Sequence, residues 1–328
     1  MGDAPTLSTI GVYTSGGDSP GMNPAVRAVV RTAHHFHLKV FAILRGYAGM
    51  IAGEIKSMDR RSVSNIIHQG GTIIKTSRSA EFFTPEGRRT AYEQLRAHGI
   101  EGLVCIGGDG SFHGAVEFFK EFQVPIVGVP GTIDNDLFGT DFTIGYDTAV
   151  ATALESIDKI RDTAQSHDRM FLVEVMGREA GFIGLASGVA GGAEEILIPE
   201  TPTDLEAIAR RIEQRTEKHK TSLIMVVAEG DEAGGAVEIG QKLSKRTGMD
   251  FRVCILGHTQ RGGSPTAKDR LLASRLGYEA VRALAAGHTN IMVGEVNGEI
   301  VHTPLEETYT RKKPLTRGLV EMAAILAE

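Results

Sequence analysis

Cysteine is scarce in this chain: two in 328 residues, Cys105 in LVCIGG and Cys254 in RVCILG. Both stand in short apolar runs that read as buried strands, so core packing is expected rather than a disulfide or metal site. A reducing, cytoplasmic setting fits. Excess basic charge is also missing. Lys and Arg number 35 against 41 Asp and Glu, a formal charge of −6, which argues against a general nucleic-acid or membrane-surface binder. An anionic ligand must then be held by local arginine clusters and backbone N–H groups. Long apolar runs do not occur. SLIMVVA at 222–228 falls far short of the ~20 residues a spanning helix needs. MGDAPT matches a myristoylation pattern, but with Asp3 beside the glycine and no basic cluster it reads as a leader into the first strand. No long linker or low-complexity run interrupts the chain.

What remains is ordinary for a globular protein, 41% hydrophobic and 23% charged, with a length that suggests about two closely joined domains. Short β-branched runs alternate with helix-length segments. TIGVYT precedes a helix from about Pro24; then come VFAIL, GLVCIGG, PIVGVPG, FLVEVMG, EILIPE, SLIMVVAEG, RVCILG and NIMVGEV. Nearly continuous apolar strands alternating with helices predict an α/β fold with parallel sheets covered on both faces. Ligands in that architecture sit at the carboxyl ends of strands.

Glycine and aspartate concentrate at those ends. SGGDSPGMNP follows the first strand, where glycines let successive N–H groups face an anion. Asn23 and Pro24 are read as N-cap and first helical position. By itself the stretch serves equally as a plain connecting turn. GGDGS, Gly107–Ser111, adds a carboxylate, Asp109, able to hold a Mg²⁺ that bridges phosphates, though related motifs occur in NAD and lipid kinases. VPGTIDND places Asp134 and Asp136 one residue apart, which either caps a turn or serves chemistry.

Taken together, SGGDSPGMN, GGTIIKTSRS, GGDGS, PGTIDND, VEVMGR and LGHTQRGGSP resemble the bacterial-type 6-phosphofructokinases, in order and over nearly the whole chain from Ile10 to Lys313. The resemblance implies two Rossmann-like three-layer α/β/α domains with mainly parallel sheets and an active site in the cleft between them. Residues 1–144 and 259–311 would form the ATP/Mg²⁺ domain. Residues 145–258 and 312–328 would form the sugar-phosphate domain. It also implies phosphorylation of fructose 6-phosphate at its 1-hydroxyl by ATP with Mg²⁺, in a cytoplasmic homotetramer.

Residue by residue, the resemblance makes Asp134 the base, with Thr132 beside the transferring group and Arg178 stabilising its charge. Asp109 and Asp136 would hold Mg²⁺. ATP would be met by Gly17, Tyr47, Arg78, Ser79, Gly108, Asp109, Gly110 and Ser111; Ser79 stands where many relatives carry an aromatic. Met176, Gly177 and Glu229 would contact the sugar. Its 6-phosphate would take His258 and Arg261, with Arg169 and Arg252 reaching in from a neighbouring subunit.

Two positions bear on the donor. Pyrophosphate-dependent members tend to carry Asp and Lys where this chain has Gly110 and Gly131, and two glycines leave room for a nucleotide. A pyrophosphate-dependent enzyme is the alternative, followed by a catalytically silent nucleotide-binding subunit. A Rossmann dehydrogenase is disfavoured because its GxGxxG turn is absent after the first strand. Arg27, Arg31 and His34 fall on one helical stripe, with Val26, Val29, Val30 and Ala33 on the packing side. Composition alone reads the stripe as a solvated face. The resemblance makes Arg27 and Arg31, with Arg60, Arg161, Glu194, Lys218 and Lys220, an effector site for ADP or phosphoenolpyruvate at a subunit interface; Asn65 stands where some relatives have Asp. HHFH at 34–37 reads as the end of a surface helix rather than a metal site.

Overall fold

The computed structural model describes residues 7–218 and 222–326; the leader residues 1–6 and Lys220 lie outside the described residues. The chain divides into two compact units. One takes the residues up to Thr132, Leu137–Asp147 and Arg261–Lys313, and the other Ile133–Asp136, Thr148–Gln260 and Pro314–Glu328. Ile133–Asp136 group with the second unit although the strand before them belongs to the first.

The first unit is built on β1 (Thr9–Thr14), α1 (Met22–His35), β2 (Lys39–Ile43), α2 (Gly46–Ala52) and β3 (Ile55–Met58). After a 3-10 turn at Glu81–Phe83 come α3 (Pro85–Ala97), β4 (Gly102–Gly107), α4 (Asp109–Phe122), β5 (Ile126–Thr132) and β6 (Ile144–Gly145). The second unit carries most of α5 (Tyr146–His167), then β7 (Met170–Val175), α6 (Phe182–Ala190), β8 (Glu195–Leu197), α7 (Leu205–Glu217), β9 (Leu223–Ala228), α8 (Ala236–Thr247) and β10 (Phe251–Ile255). The chain returns to the first unit for α9 (Ala267–Ala285), β11 (Ile291–Val296), β12 (Glu299–Pro304) and α10 (Leu305–Thr310), and ends in α11 (Arg317–Leu326).

Strand order in the first sheet is β12-β11-β5-β4-β1-β2-β3, with β6 added to β5. All pairs are parallel except the edges β2–β3 and β11–β12. Sequence reading missed β3 and β12 because edge strands with few buried residues carry little apolar signal, and β6 because it is two residues long. Alternate residues of the central strands feed opposite cores. Val12, Val104, Ile106 and Val127 meet α1 and α9 on one face, while Tyr13, Leu103, Cys105 and Ile126 meet Met50, Leu95 and Phe112 on the other. The unit thus has three layers. In the second unit the order is β10-β7-β9-β8, all parallel. Leu172, Met225 and Val227 pack against Ile208 and Ile212 of α7 and Ile239 and Leu243 of α8. Both sheets match the expected α/β class. Cys105 is buried as expected, but Cys254 is half-buried because β10 is an edge strand.

One helix start differs from expectation. α1 begins at Met22, with Gly21 at the cap position in the left-handed region (φ 110°). Asn23 therefore lies inside the first turn, and its side chain turns elsewhere. Its Nδ2 donates to the carbonyls of Gln69 and Gly70, both at 3.1 Å, and its Oδ1 accepts from Ile73 N–H at 2.7 Å. A residue expected to cap a helix instead clamps the GGTIIKTSRS segment onto it.

Candidate active site

In the first unit the glycine loops converge at the carboxyl ends of β1 and β4. Ser15 N–H donates to the Ile106 carbonyl at 3.0 Å, and Thr76 Oγ1 donates to the Gly16 carbonyl at 2.8 Å. Three segments far apart in sequence are stitched together there. Gly107 is required by close approach: a Cβ would lie 2.7 Å from the Ser15 carbonyl oxygen and 2.6 Å from Ser111 Oγ. Beyond it α4 begins without a side-chain cap from the N-cap residue, and its positive dipole end suits a phosphate. Asp109 stands exposed in that first turn, Oδ1 accepting from Gly110 N–H at 2.6 Å. A Cβ on Gly110 would meet no protein atom within 4 Å. At Gly131 it would lie 2.9 Å from Ile106 Cγ2 and 3.3 Å from Met22 Cε, so a longer side chain there must displace core atoms.

Tyr47 is a sequence-expected nucleotide contact whose placement has a different consequence. It is buried, stacked on Phe82 with ring centroids 3.9 Å apart, and its hydroxyl donates to the Ser111 carbonyl at 2.6 Å. Tyr13 OH in turn donates to Tyr47 OH at 3.1 Å. As placed, Tyr47 braces the first turn of α4 from below. Arg78 is exposed, Ser79 Oγ accepts from Phe82 N–H at 3.3 Å, and Arg261 lays its guanidinium beside Gly17, where a Cβ would lie 2.9 Å from Nη1.

In the second unit Asp134 is buried, and Arg178 Nε stands 3.4 Å from its Oδ2. Arg178 reaches it from a strained turn. Gly177 has φ 144°, and Arg178 itself is left-handed at φ 52°, a conformation costly for a side chain with a Cβ. Glu229 offsets that cost: its Oε1 accepts from Arg178 N–H at 2.8 Å and Gly177 N–H at 3.3 Å. Gln260, fully buried, accepts from Met176 N–H at 2.9 Å. Charge-assisted bonds to backbone N–H groups are the strong class. Met176, Gly177, Arg178, Glu229 and Asp134 are thus brought together, and Gln260 joins them although sequence reading passed over it. Arg169, Arg252 and His258 are exposed, and Arg252 pairs with Asp250 at 2.9 Å. Thr132 ends β5, its carbonyl accepting from Thr143 Oγ1 at 2.6 Å; Asn135, between Asp134 and Asp136, is left-handed at φ 57°. Among the described residues no three His, Cys, Asp or Glu side chains form a metal-ligating group.

The expected effector residues divide between the units. On α1, Val26, Val29, Val30 and Ala33 are buried while Arg27 is half-buried and Arg31 exposed. Burial, then the neighbouring charge of Arg31, lowers the Arg27 pKa. Arg60 is exposed. His34 is half-buried, Nε2 3.2 Å from the Met58 carbonyl, and the histidine cluster closes the helix as expected. In the second unit Arg161 Nη2 donates to the carbonyls of Gly191 (2.6 Å) and Gly192 (2.7 Å). Its Nη1 stands 3.6 Å from Glu194 Oε1, which Arg215 also faces at 3.4 Å, while Glu194 Oε2 accepts from Ile224 N–H. Arg215 carried no motif signal in the sequence. Lys218 is exposed at the end of α7.

A model of the phosphofructokinase family matches residues 9–284. The chain belongs to that family. It is an enzyme, a kinase. Over 321 residues it is 57% identical to the protein named ATP-dependent 6-phosphofructokinase 1 of Thermus thermophilus, covering 98% of this chain and 100% of that one. It is 52% identical over 318 residues to the ATP-dependent 6-phosphofructokinase of Cytophaga hutchinsonii, covering 97% of each. The solved phosphofructokinase of Saccharomyces cerevisiae superposes with a TM-score of 0.88 at 37% identity over 98% of this chain; the match spans 48% of the yeast chain. A pyrophosphate-dependent phosphofructokinase from Marinobacter aquaeolei shares the fold, with a TM-score of 0.84 at 24% identity, covering 98% of this chain and 92% of that one.

In this family member Cys105 lies fully buried against Tyr13 and Tyr47, and burial pushes its thiol up to about 12. Burial also raises both tyrosines. Unfolded, a thiol ionises at about 8.5. Between the two values the unfolded chain has lost a proton that the folded chain keeps, so stability falls as pH rises. Urea unfolding is therefore expected to weaken from about pH 9 upward, and Cys105→Ala to flatten that slope by up to ~1.4 kcal/mol per pH unit. Equal slopes in wild type and variant would contradict the assignment.

Proposed function

We propose that the chain transfers the γ-phosphoryl group of ATP to the 1-hydroxyl of fructose 6-phosphate, giving fructose 1,6-bisphosphate and ADP, a glycolytic step in the cytoplasm. The observation that carries the reading is the buried Asp134 carboxylate beside Arg178, on a turn fixed by Glu229 and Gln260. Phosphoryl transfer asks for positioning and charge neutralisation more than for covalent chemistry. Asp134 accepts the proton of the attacking hydroxyl, Thr132 lies beside the transferring group, and Arg178 leaves Asp134 to meet the developing negative charge. Glu229 keeps one oxygen on the turn and offers the other to sugar hydroxyls. Arg169, Arg252, His258 and Arg261 supply the charge for the 6-phosphate, the first two from a neighbouring copy in a homotetramer.

Asp109 and Asp136 are the hard oxygen donors suited to Mg²⁺, which takes one or two carboxylates together with substrate phosphates and waters. When bound, the ion neutralises phosphate charge. Support for ATP over pyrophosphate comes from the open space at Gly110, the packed wall at Gly131, and relatives at 52–57% identity named ATP-dependent. In the regulatory reading, Arg27, Arg31 and Arg60 with Arg161, Glu194, Lys218 and Lys220 take ADP or phosphoenolpyruvate. Among the described residues no helix is long and apolar enough to cross a membrane.

Asp134→Ser is expected to lower kcat by ~10²-fold or more while fructose 6-phosphate binding persists. A loss below about tenfold with binding intact would remove Asp134 as the base. Arg27→Ala is expected to weaken the response to ADP or phosphoenolpyruvate by at least about fivefold with maximal turnover retained; parallel loss of turnover and regulation would contradict a separate effector site.

A further inference from the structure

β6 is only two residues long, Ile144–Gly145, and a strand that short cannot keep its own place. Its partner makes its place matter. β5 pairs with β4 as far as Pro130, which stands opposite Gly107. Beyond that point Gly131 and Thr132 are in register with Ile144 and Gly145. Thr143, fully buried, adds its hydroxyl bond to the Thr132 carbonyl at 2.6 Å. The segment Thr143–Gly145 therefore fixes the last two residues of β5, and Asp134 follows Thr132 by two residues.

The start of α9 grips that segment at three places. Lys268 Nζ lies 3.3 Å above the Phe142 ring, and Thr266 Oγ1 donates to Asp147 Oδ2 at 2.7 Å. Between them Gly145 N–H donates to Asp269 Oδ1 at 2.8 Å. Asp269 is 1% exposed. A carboxylate so buried is costly unless donors meet it, and its place in the first turn of a helix lowers the cost. The SGGDSPG loop closes on the same strand. A Cβ on Gly145, which has φ 104°, would lie 2.6 Å from Ser19 Cβ, and one on Gly21 would lie 2.5 Å from Ile144 Cγ2. The strand has little room to shift. Resting on the reading of Asp134 as the base, we infer that Asp269 is a positioning residue for phosphoryl transfer. Through Gly145 its carboxylate sets where β5 ends, and so where Thr132 stands and the chain departs for Asp134. Phosphoryl transfer depends on positioning, so loss of this grip costs turnover rather than affinity.

Asp269→Ala removes the acceptor, whereas Asp269→Asn keeps one. With ATP, Mg²⁺ and fructose 6-phosphate, Asp269→Ala is expected to lower kcat about ten- to hundredfold, the scale on which misplaced groups lose rate. KM for both substrates stays within about twofold, the mark of an interaction realised in the transition state. Asp269→Asn recovers turnover to within about fivefold of wild type, since a neutral acceptor keeps about half of the bond's strength. Should Asp269→Ala fail to fold, Thr143→Val removes the neighbouring bond to Thr132 and lowers kcat in the same sense, and Thr143→Ser restores it. Added to Asp134→Ser, Asp269→Ala is expected to cost less than about a further twofold, because groups acting as a unit are not additive. A purely structural carboxylate would lower the urea midpoint and leave kcat of the folded protein untouched. That result, full multiplication with Asp134→Ser, or a raised KM with kcat kept, overturns the positioning role while Asp134 remains the base. If Asp134→Ser itself keeps wild-type turnover, the base reading falls and the positioning role with it.

Discussion

The contact between Arg178 and Asp134, 3.4 Å across, is the constraint on which the proposed chemistry rests. A carboxylate as buried as Asp134 needs a charged partner, and the partner must come from an element that can hold a cation without losing its direction. The left-handed backbone at Arg178 provides that direction. Strain of this kind persists where surrounding bonds over-determine it, and here Glu229 and Gln260 bond three successive N–H groups of the turn. Truncating Glu229 would release the turn and with it the aim of Arg178.

The glycine loops of the first unit follow the same logic with different chemistry. Parallel strands β1 and β4 end side by side, and Gly107 allows their loops to touch. The N-terminus of α4 follows directly, and the buried hydroxyl chain from Tyr13 through Tyr47 to Ser111 holds that terminus from beneath. Asn23 secures the segment leading to Arg78.

Much of this was legible in the sequence. Apolar runs marked the central strands, because a strand buried on both faces cannot hide its composition, and glycine–aspartate clusters marked their carboxyl ends. What stayed hidden depends on contacts between distant residues. Asn23 looks like a cap because Asn-Pro favours helix starts, yet its amide is drawn to Gln69, Gly70 and Ile73. Tyr47 is matched by the resemblance to a nucleotide contact, but only the fold reveals that its ring is turned into the core. Arg215 lies where no local pattern distinguishes a paired cation from a surface side chain, and Gln260 lies within LGHTQRGGSP, whose pattern does not tell a buried acceptor from a surface amide. Gly131 carries the clearest lesson: the sequence suggests an open pocket, whereas the structure explains the glycine by the Ile106 and Met22 side chains against it.

The donor assignment is the claim to test most directly. The measurement is formation of fructose 1,6-bisphosphate from fructose 6-phosphate with Mg²⁺, using ATP in one reaction and pyrophosphate in a parallel one. Turnover with ATP and none with pyrophosphate is the predicted result. Turnover with pyrophosphate alone, or with neither donor, would contradict it.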